Sequence, residues 1–255
     1  KGSVIGAAIT EDARVSGIVF TGSVEVAQTI NRSLASRSGP IASFIAETGG
    51  QNCMVVDSSA LIEQAVDDII LSAFGSAGQR CSALRVLFVH EDIAGNLIAL
   101  LKGAMAELRL GDPRLPETDI GPVIDARAQK ELLEHIEAMK RTATFIAAAP
   151  EPAGYGASFV SPHAFEIGSI SELTKEHFGP VLHVVRFKAN ELQKVADAIN
   201  ETGFGLTFGM HSRIEENIAF FTSRIHAGNM YINRGMTGAV VGVQPFGGEG
   251  LSGTG

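Results

Sequence analysis

Short apolar runs of strand length alternate along this chain with amphipathic stretches of helical period, and that alternation restricts the fold more than any other feature. Residues 16–20 read as a buried strand (Gly17-Ile18-Val19-Phe20) that turns through Thr21-Gly22-Ser23 into a helix from Val24, with Val26, Ala27, Ile30 and Leu34 on one side. A second apolar run, 41–46, closes at Glu47-Thr48-Gly49-Gly50, and 54–56 is a third strand candidate. Asp57-Ser58-Ser59 offers N-cap side chains for a long helix whose Leu61, Ile62, Ala65, Val66, Ile69, Ile70, Ala73 and Phe74 recur at helical spacing. Further strands are expected at 84–90, 181–187, 206–210 and 230–233, and further helices at 92–108, 125–141, 191–200 and 214–225. The expected fold is α/β, an open and mostly parallel sheet with helices on both faces.

Composition narrows the class. Hydrophobic residues make up 45% of the 255, enough for a large core and too many for a disordered chain. No stretch approaches the ~18 uninterrupted apolar residues of a transmembrane helix. A net charge of −8 disfavours nucleic acid and anionic lipid surfaces. Two cysteines, Cys53 and Cys81, cannot build a disulfide framework and point to a reducing, cytoplasmic address. The 29 glycines follow no fixed period and cluster between apolar runs, as loop punctuation does.

A few residues stand out as chemistry. Cys81 follows a long helix and lies between Gly78-Gln79-Arg80 and Ser82, a polar, glycine-bearing setting. A nucleophilic thiol needs access and a stabilised thiolate, which a neighbouring guanidinium or free backbone N–H groups could supply. The competing reading is a structural thiol; Cys53, beside Met54-Val55-Val56, fits that description and is assigned to the core. Glu47 sits where a strand ends, a position from which a partly desolvated carboxylate can act as a general base toward water, or simply be a solvated loop residue. Gly22 and Ser23 open a helix whose N-terminus can hold a phosphate, although the turn lacks the three glycines of the usual dinucleotide fingerprint. Glu176-His177-Phe178-Gly179-Pro180 offers a carboxylate for a sugar diol and an aromatic face for a flat heterocycle. Pro245-Phe246-Gly247-Gly248 is a turn unless it lines a pocket. No His-x-x-x-His or Cys-x-x-Cys spacing is present, so no metal is expected.

In this order, Phe20-Thr21-Gly22-Ser23, Glu47-Thr48-Gly49-Gly50, Gly78-Gln79-Arg80-Cys81, Glu176-His177-Phe178-Gly179-Pro180 and Pro245-Phe246-Gly247-Gly248 resemble the aldehyde dehydrogenase superfamily. Gly78 through Ala83 and Thr237-Gly238-Ala239-Val240-Val241-Gly242 are similar to its Δ1-pyrroline-5-carboxylate dehydrogenase branch. Residues 245–255 resemble the form fused to proline dehydrogenase in a bacterial proline-utilisation flavoprotein. Val24 and Ala27 depart from the family's phosphate turn, which has Thr and a second Gly at these places.

The resemblance implies roles. Cys81 would attack the aldehyde of L-glutamate γ-semialdehyde and Glu47 would activate water against the resulting thioester. Gly22, Ser23, Thr48, Gly49, Glu176 and Phe178 would face NAD. Ser82, Gly238, Ala239 and Phe246 would hold the substrate, a small aldehyde bearing a carboxylate. FAD would belong only to a fused proline dehydrogenase domain outside this chain. Residues 1–49 would be the end of a Rossmann-like NAD domain and 50–255 a catalytic domain, with the remainder of the cofactor site and one oxyanion donor lying before Lys1. On that expectation the segment is inactive alone, and its parent is a homo-oligomer that could sit peripherally at the inner membrane. The rival enzyme class is another aldehyde's dehydrogenase, or a cofactor-independent thiol acyltransferase or amidase using Cys81.

Overall fold

The structure, a computed structural model, describes residues 2–151 and 158–255. Its elements run α1 (Gly2–Glu11), β1 (Gly17–Thr21), α2 (Val24–Ala35), β2 (Ser43–Glu47), β3 (Cys53–Val56), α3 (Ile62–Phe74), β4 (Val86–His90), α4 (Glu91–Ala106), α5 (Ala126–Thr142), β5 (Thr144–Ala148), β6 (His163–Glu166), β7 (Val181–Phe187), α6 (Leu192–Asn200), β8 (Phe204–Gly205), β9 (Thr207–His211), α7 (Glu215–Thr222), β10 (Asn229–Ile232) and β11 (Glu249–Gly250).

Seven strands form one sheet in the order β10-β9-β3-β4-β7-β6-β5. Every neighbouring pair is parallel except β5 with β6. The residues of β3 and β4 are buried along their whole length, which a parallel strand achieves only when both faces of the sheet are covered. Phe74, Ile69, Leu97, Leu101 and Met105 from α3 and α4 and Phe208 and Phe221 from β9 and α7 are among the largest fully buried side chains. Asp125 caps α5 by accepting from the Ala128 N–H at 2.8 Å, a contact of the kind that stabilises a helix by ~1 kcal/mol.

β1 and β2 make a separate parallel pair, in register from Gly17 opposite Ser43 to Thr21 opposite Glu47. Residues 249–254 fasten this pair to the large sheet. β11 runs antiparallel to β8, the Thr48 N–H donates to the Ser252 carbonyl at 2.9 Å, and the Thr254 N–H donates to the Ala46 carbonyl at 2.8 Å. Two ends of the fold therefore face one another: the carboxyl ends of β1 and β2, and the amino ends of β3, β4, β7 and β9.

The alternation of strands and helices is as expected, with boundaries moved by a residue or a few. Two local expectations fail. β1 is not buried, since its residues alternate between exposed and half-buried and Val19 stands out in the open. Asp57 is not the N-cap of α3; Leu61 occupies that position without a side-chain cap. Asp57 instead accepts from the Ser59 N–H at 2.7 Å and Ser59 Oγ at 2.6 Å, and from Ser212 and Asn217 across the sheet. α1, β5, β6 and the short β8–β11 pair are elements the periodicity did not reveal.

Candidate active site

Helix α3 runs into a tight turn at Gly75–Gly78, in which Ser76, Ala77 and Gly78 all take left-handed backbone conformations (φ 56°, 55° and 64°). Such a conformation costs ~1–2 kcal/mol at each non-glycine residue, so the turn persists only because its surroundings hold it. Gly78 admits no side chain: a Cβ there would overlap the Gly179 carbonyl. The turn delivers Cys81, half-buried, just ahead of the amino end of β4.

Three buried side chains grip the backbone around Cys81. Asn52 Nδ2 donates to the Cys81 carbonyl at 2.6 Å and to the Ala83 carbonyl at 2.9 Å, while its Oδ1 accepts from the Thr207 N–H at 3.1 Å. Thr207 Oγ1 donates to the Ser82 carbonyl at 3.2 Å. Arg85 Nη1 donates to the Gly78 carbonyl at 2.7 Å, and Nη2 to the Arg80 carbonyl at 3.2 Å. The Ser82 and Cys81 N–H groups both face the thiol. Burial pushes the Cys81 thiol up; the Ser82 N–H opposes the shift, and the charges of Glu176 and Glu47 add to it. The expected help from Arg80 is missing, because that exposed guanidinium donates through Nε to Ser76 Oγ at 3.0 Å.

Glu47 ends β2, half-buried. Its Oε2 accepts from the Gly248 N–H at 3.1 Å, and Gly247 and Gly253 close over the other oxygen with no room for side chains. Burial raises its carboxyl above the ordinary range and the Gly248 bond offsets only part of that. A carboxylate so placed is a stronger base than a solvated one.

Glu176 accepts from Arg85 Nη2 at 3.2 Å, and the Arg85 guanidinium lies 5.2 Å from the centroid of the Phe178 ring. Burial nevertheless leaves the Glu176 carboxyl raised, with Arg85 pulling the other way. Gly49 packs directly against it, and a Cβ at 49 would have to push the Glu176 carboxylate aside. Across the opening Ser23 caps α2, accepting from the Val26 N–H at 3.4 Å.

These pieces share one cleft of about 1590 Å³, whose walls include Gly22, Ser23, Thr48, Gly49, Cys81, Glu176 and Phe178. That is room for a dinucleotide, with a helix N-terminus, a buried carboxylate and an exposed aromatic face on its walls. Glu47, Ser82, Gly238, Ala239 and Phe246 lie outside the cleft wall. Ser82 is buried beneath the thiol, and Gly238 stands at φ 89° in an exposed turn with Ala239 half-buried beside it. Among the described residues no group of three or more His, Cys, Asp or Glu is arranged to hold a metal.

Sequence reasoning missed Arg85, Asn52 and a histidine cluster. His135 Nε2 and His183 Nε2 are 2.9 Å apart, and the His135 ring stacks on His177 at 3.4 Å. Arg85 did leave a signal: it is the one charge within Ala83-Leu84-Arg85-Val86-Leu87-Phe88-Val89, and a charge in a buried strand must be paired.

All 255 residues match the model of the Aldehyde dehydrogenase family. The chain is 53% identical over its whole length to the Bifunctional protein PutA of Klebsiella aerogenes, of which it covers 20%. It is 35% identical to the 1-pyrroline-5-carboxylate dehydrogenase of Geobacillus kaustophilus, again over its whole length and 50% of that protein. A crystal structure of bifunctional proline utilization A superposes with a TM-score of 0.96 at 54% identity, covering 99% of this chain and 25% of that one. A 1-pyrroline-5-carboxylate dehydrogenase from Thermus with bound NAD superposes at 0.91 and 32% identity, over 100% of this chain and 49% of the other.

Proposed function

Because the chain belongs to the aldehyde dehydrogenase family, we propose that it carries the reactive part of an NAD-dependent dehydrogenase that oxidises L-glutamate γ-semialdehyde, the open form of Δ1-pyrroline-5-carboxylate, to L-glutamate. Residues 1–49 would contribute the end of the cofactor domain and residues 50–255 the catalytic domain. One observation carries the reading most: the Cys81 loop opens on the same cleft as Glu176, Phe178, Gly49 and the Gly22–Ser23 helix start. The substrate class is supported by relatives named for proline utilization and 1-pyrroline-5-carboxylate.

The residues fit NAD. Glu176 would take the ribose hydroxyls, Phe178 would pack by the nicotinamide, and the Gly22 and Ser23 turn with Thr48 and Gly49 would line the phosphate path. Bound there, NAD supplies the hydride acceptor.

The chain's own groups do the rest. The Cys81 thiol gives its proton to water in the cleft and its sulfur adds to the aldehyde carbon, giving a thiohemiacetal whose oxygen the Cys81 N–H can stabilise. Oxidation of that carbon leaves a thioester on Cys81. Glu47, its basicity raised by burial, takes a proton from water as the water attacks the thioester, and the thiol returns as glutamate leaves. Ser82, the Gly238–Ala239 turn and Phe246 would receive the distal carboxylate and carbon chain of the substrate.

The test is NADH formation by the intact protein with glutamate semialdehyde and with an uncharged aldehyde of equal length. The expected result is NAD-dependent turnover with a clear preference in kcat/KM for the semialdehyde. Equal kcat/KM values would remove the carboxylate anchor, and acyl transfer without NAD would favour the cofactor-independent alternative.

A further inference from the structure

Arg85 touches more of the site than any residue to which a chemical role was given above. Its guanidinium is buried, with 3% of the side chain accessible, at the meeting of two loops that are far apart in sequence. Nη1 reaches the Gly78 carbonyl at 2.7 Å and the Gly179 carbonyl at 3.1 Å. Nη2 reaches the Arg80 carbonyl at 3.2 Å and Glu176 Oε1 at 3.2 Å. Each terminal nitrogen thus bonds one atom of the nucleophile loop and one atom of the 176–179 segment. Phe178, on the cleft wall, lies 5.2 Å from the same guanidinium.

We propose that Arg85 is a positioning residue that fixes the Cys81 loop and the cofactor-facing Glu176–Gly179 segment in a single frame, so that the nucleophile and the ribose carboxylate keep one relative geometry. Placement errors of an ångström between reacting groups cost orders of magnitude in rate, which gives such a brace a use. The left-handed turn at Ser76–Gly78 needs an external hold, and Arg85 supplies it at the Gly78 carbonyl. The Arg85 backbone is itself fixed: its N–H donates to the Asn52 carbonyl at 3.0 Å, and its carbonyl accepts from the His183 N–H at 3.0 Å, with His183 Nδ1 also 3.2 Å away. A planar fork is required. Lysine would bring the charge but only one nitrogen, and it cannot span four acceptors in two directions.

The cofactor side of this inference rests on the function proposed above, so the test has two arms. In the intact protein, Arg85→Lys should raise the KM for NAD at least tenfold and slow alkylation of Cys81 by iodoacetamide several-fold. Glu176→Gln should raise the same KM, and the double variant should exceed the worse single variant by less than twofold, because Arg85 acts on NAD through Glu176. Multiplicative increases in the double variant, or an Arg85→Lys protein with parental KM and alkylation rate, would overturn the proposal. If Arg85→Lys does not fold, hydrogen exchange in Glu176→Ala decides. Amides 79–84 should exchange at least fivefold faster once the brace keeps only the Gly179 carbonyl on its far side; an unchanged rate refutes the coupling. Exchange and alkylation need no cofactor, so absence of NAD-dependent oxidation in the parental protein would defeat the functional reading while leaving the brace to stand or fall on these two measurements.

Discussion

The two ends of the seven-stranded sheet are both crowded with buried polar groups, and the cleft opens at the amino end. At the carboxyl end, Asp57 is 1% exposed and accepts from Ser59, Ser212 and Asn217, while Asn233 bonds the Ser212 N–H and carbonyl at 2.9 and 2.8 Å. Burial alone would push the Asp57 carboxyl up, but these bonds outweigh it and hold it below the ordinary range. At the amino end, Glu176 and, facing it from the small sheet, Glu47 have fewer donors and their carboxyls stay raised. Open α/β sheets commonly bind ligands outside the carboxyl ends of their strands. Here that crevice is plugged with its own hydrogen-bond donors, and the cleft lies instead at the end where charge is left incompletely compensated. A saturated buried carboxylate is part of the scaffold; an undersupplied one at a cleft is available for chemistry.

The largest effects should separate the two ends by kind. In the intact protein, Cys81→Ala should lower NADH production by on the order of 10⁴-fold or more without moving the thermal midpoint appreciably. Glu47→Gln should allow a burst of NADH near one per site and then stall, seen by rapid-mixing absorbance. Steady turnover at the parental rate in that variant would take Glu47 out of the mechanism.

Asp57→Ala should do the reverse. It strands donors from Ser59, Ser212 and Asn217 in the interior, and denaturant unfolding should report a loss of ~2–4 kcal/mol. The protein that remains folded should keep its KM for NAD. Glu176→Gln keeps an acceptor for Arg85 but removes the charge that pairs this buried guanidinium, so it should cost less than Asp57→Ala while weakening NAD. A destabilisation by Glu176→Gln equal to that of Asp57→Ala would erase the distinction between the ends.

Acid sharpens it further. Burial first, and the neighbouring charges after it, press His135 down to about 4 and His177 and His183 to about 3, against an ordinary 6.5. The unfolded chain therefore takes up protons before the folded one does, so stability is complete above pH 6.5 and drains away as pH falls toward 4. Asp57, depressed when folded, also gives support that is lost as pH falls through its folded value. Glu47 and Glu176 have the opposite sign: their raised carboxyls favour the folded state at low pH and lose that contribution as pH rises through the folded values. Replacing His135 and His183 together by apolar residues should flatten the acid limb of a midpoint-versus-pH curve, and an unchanged limb would shift the cause to the carboxylates. The smallest effect belongs to neither end. Arg186→Gln breaks the exposed pair with Glu166, at 2.8 Å, and should cost less than ~1 kcal/mol.

Much of this frame could be read directly from residues. The runs Val86-Leu87-Phe88-Val89 and Val181-Leu182 are interior strands as read, and Ala65, Val66, Ile69, Ala73 and Phe74 form the buried face of α3, whereas Leu61, read with them, is exposed at the N-cap. Of the motif residues, Gly22, Ser23, Thr48, Gly49, Cys81, Glu176 and Phe178 share one cleft, while Glu47, Ser82, Gly238, Ala239 and Phe246 do not line it. What escaped depended on partners distant in sequence. Asp57 beside two serines has the local signature of a helix cap, but Ser212 and Asn217 draw it into the crevice between β3 and β9. α1 shows no clean apolar stripe and buries only Thr10, so periodicity had little to detect. β5 follows α5 after a single residue, without a turn signal. Asn52 and Arg85 act through backbone carbonyls, which leave no residue-type signature at the positions they hold.

The strap of residues 249–254 has a kinetic consequence. The Gly248 N–H that orients Glu47 lies 201 residues along the chain from it, the Thr48 hydroxyl meets the Leu251 carbonyl across 203 residues, and Thr254 meets Ala46 across 208. Adjacent strands such as β3 and β4 can find one another early, whereas contacts this remote must wait for a long loop to close, and folding slows as mean contact separation grows. The Cys81 loop also waits, for Thr207 to reach the Ser82 carbonyl across 125 residues and for Gly179 to reach Arg85 across 94. During synthesis both Cys81 and Glu47 are therefore completed late, and the Glu47 partner is the last of these groups to emerge.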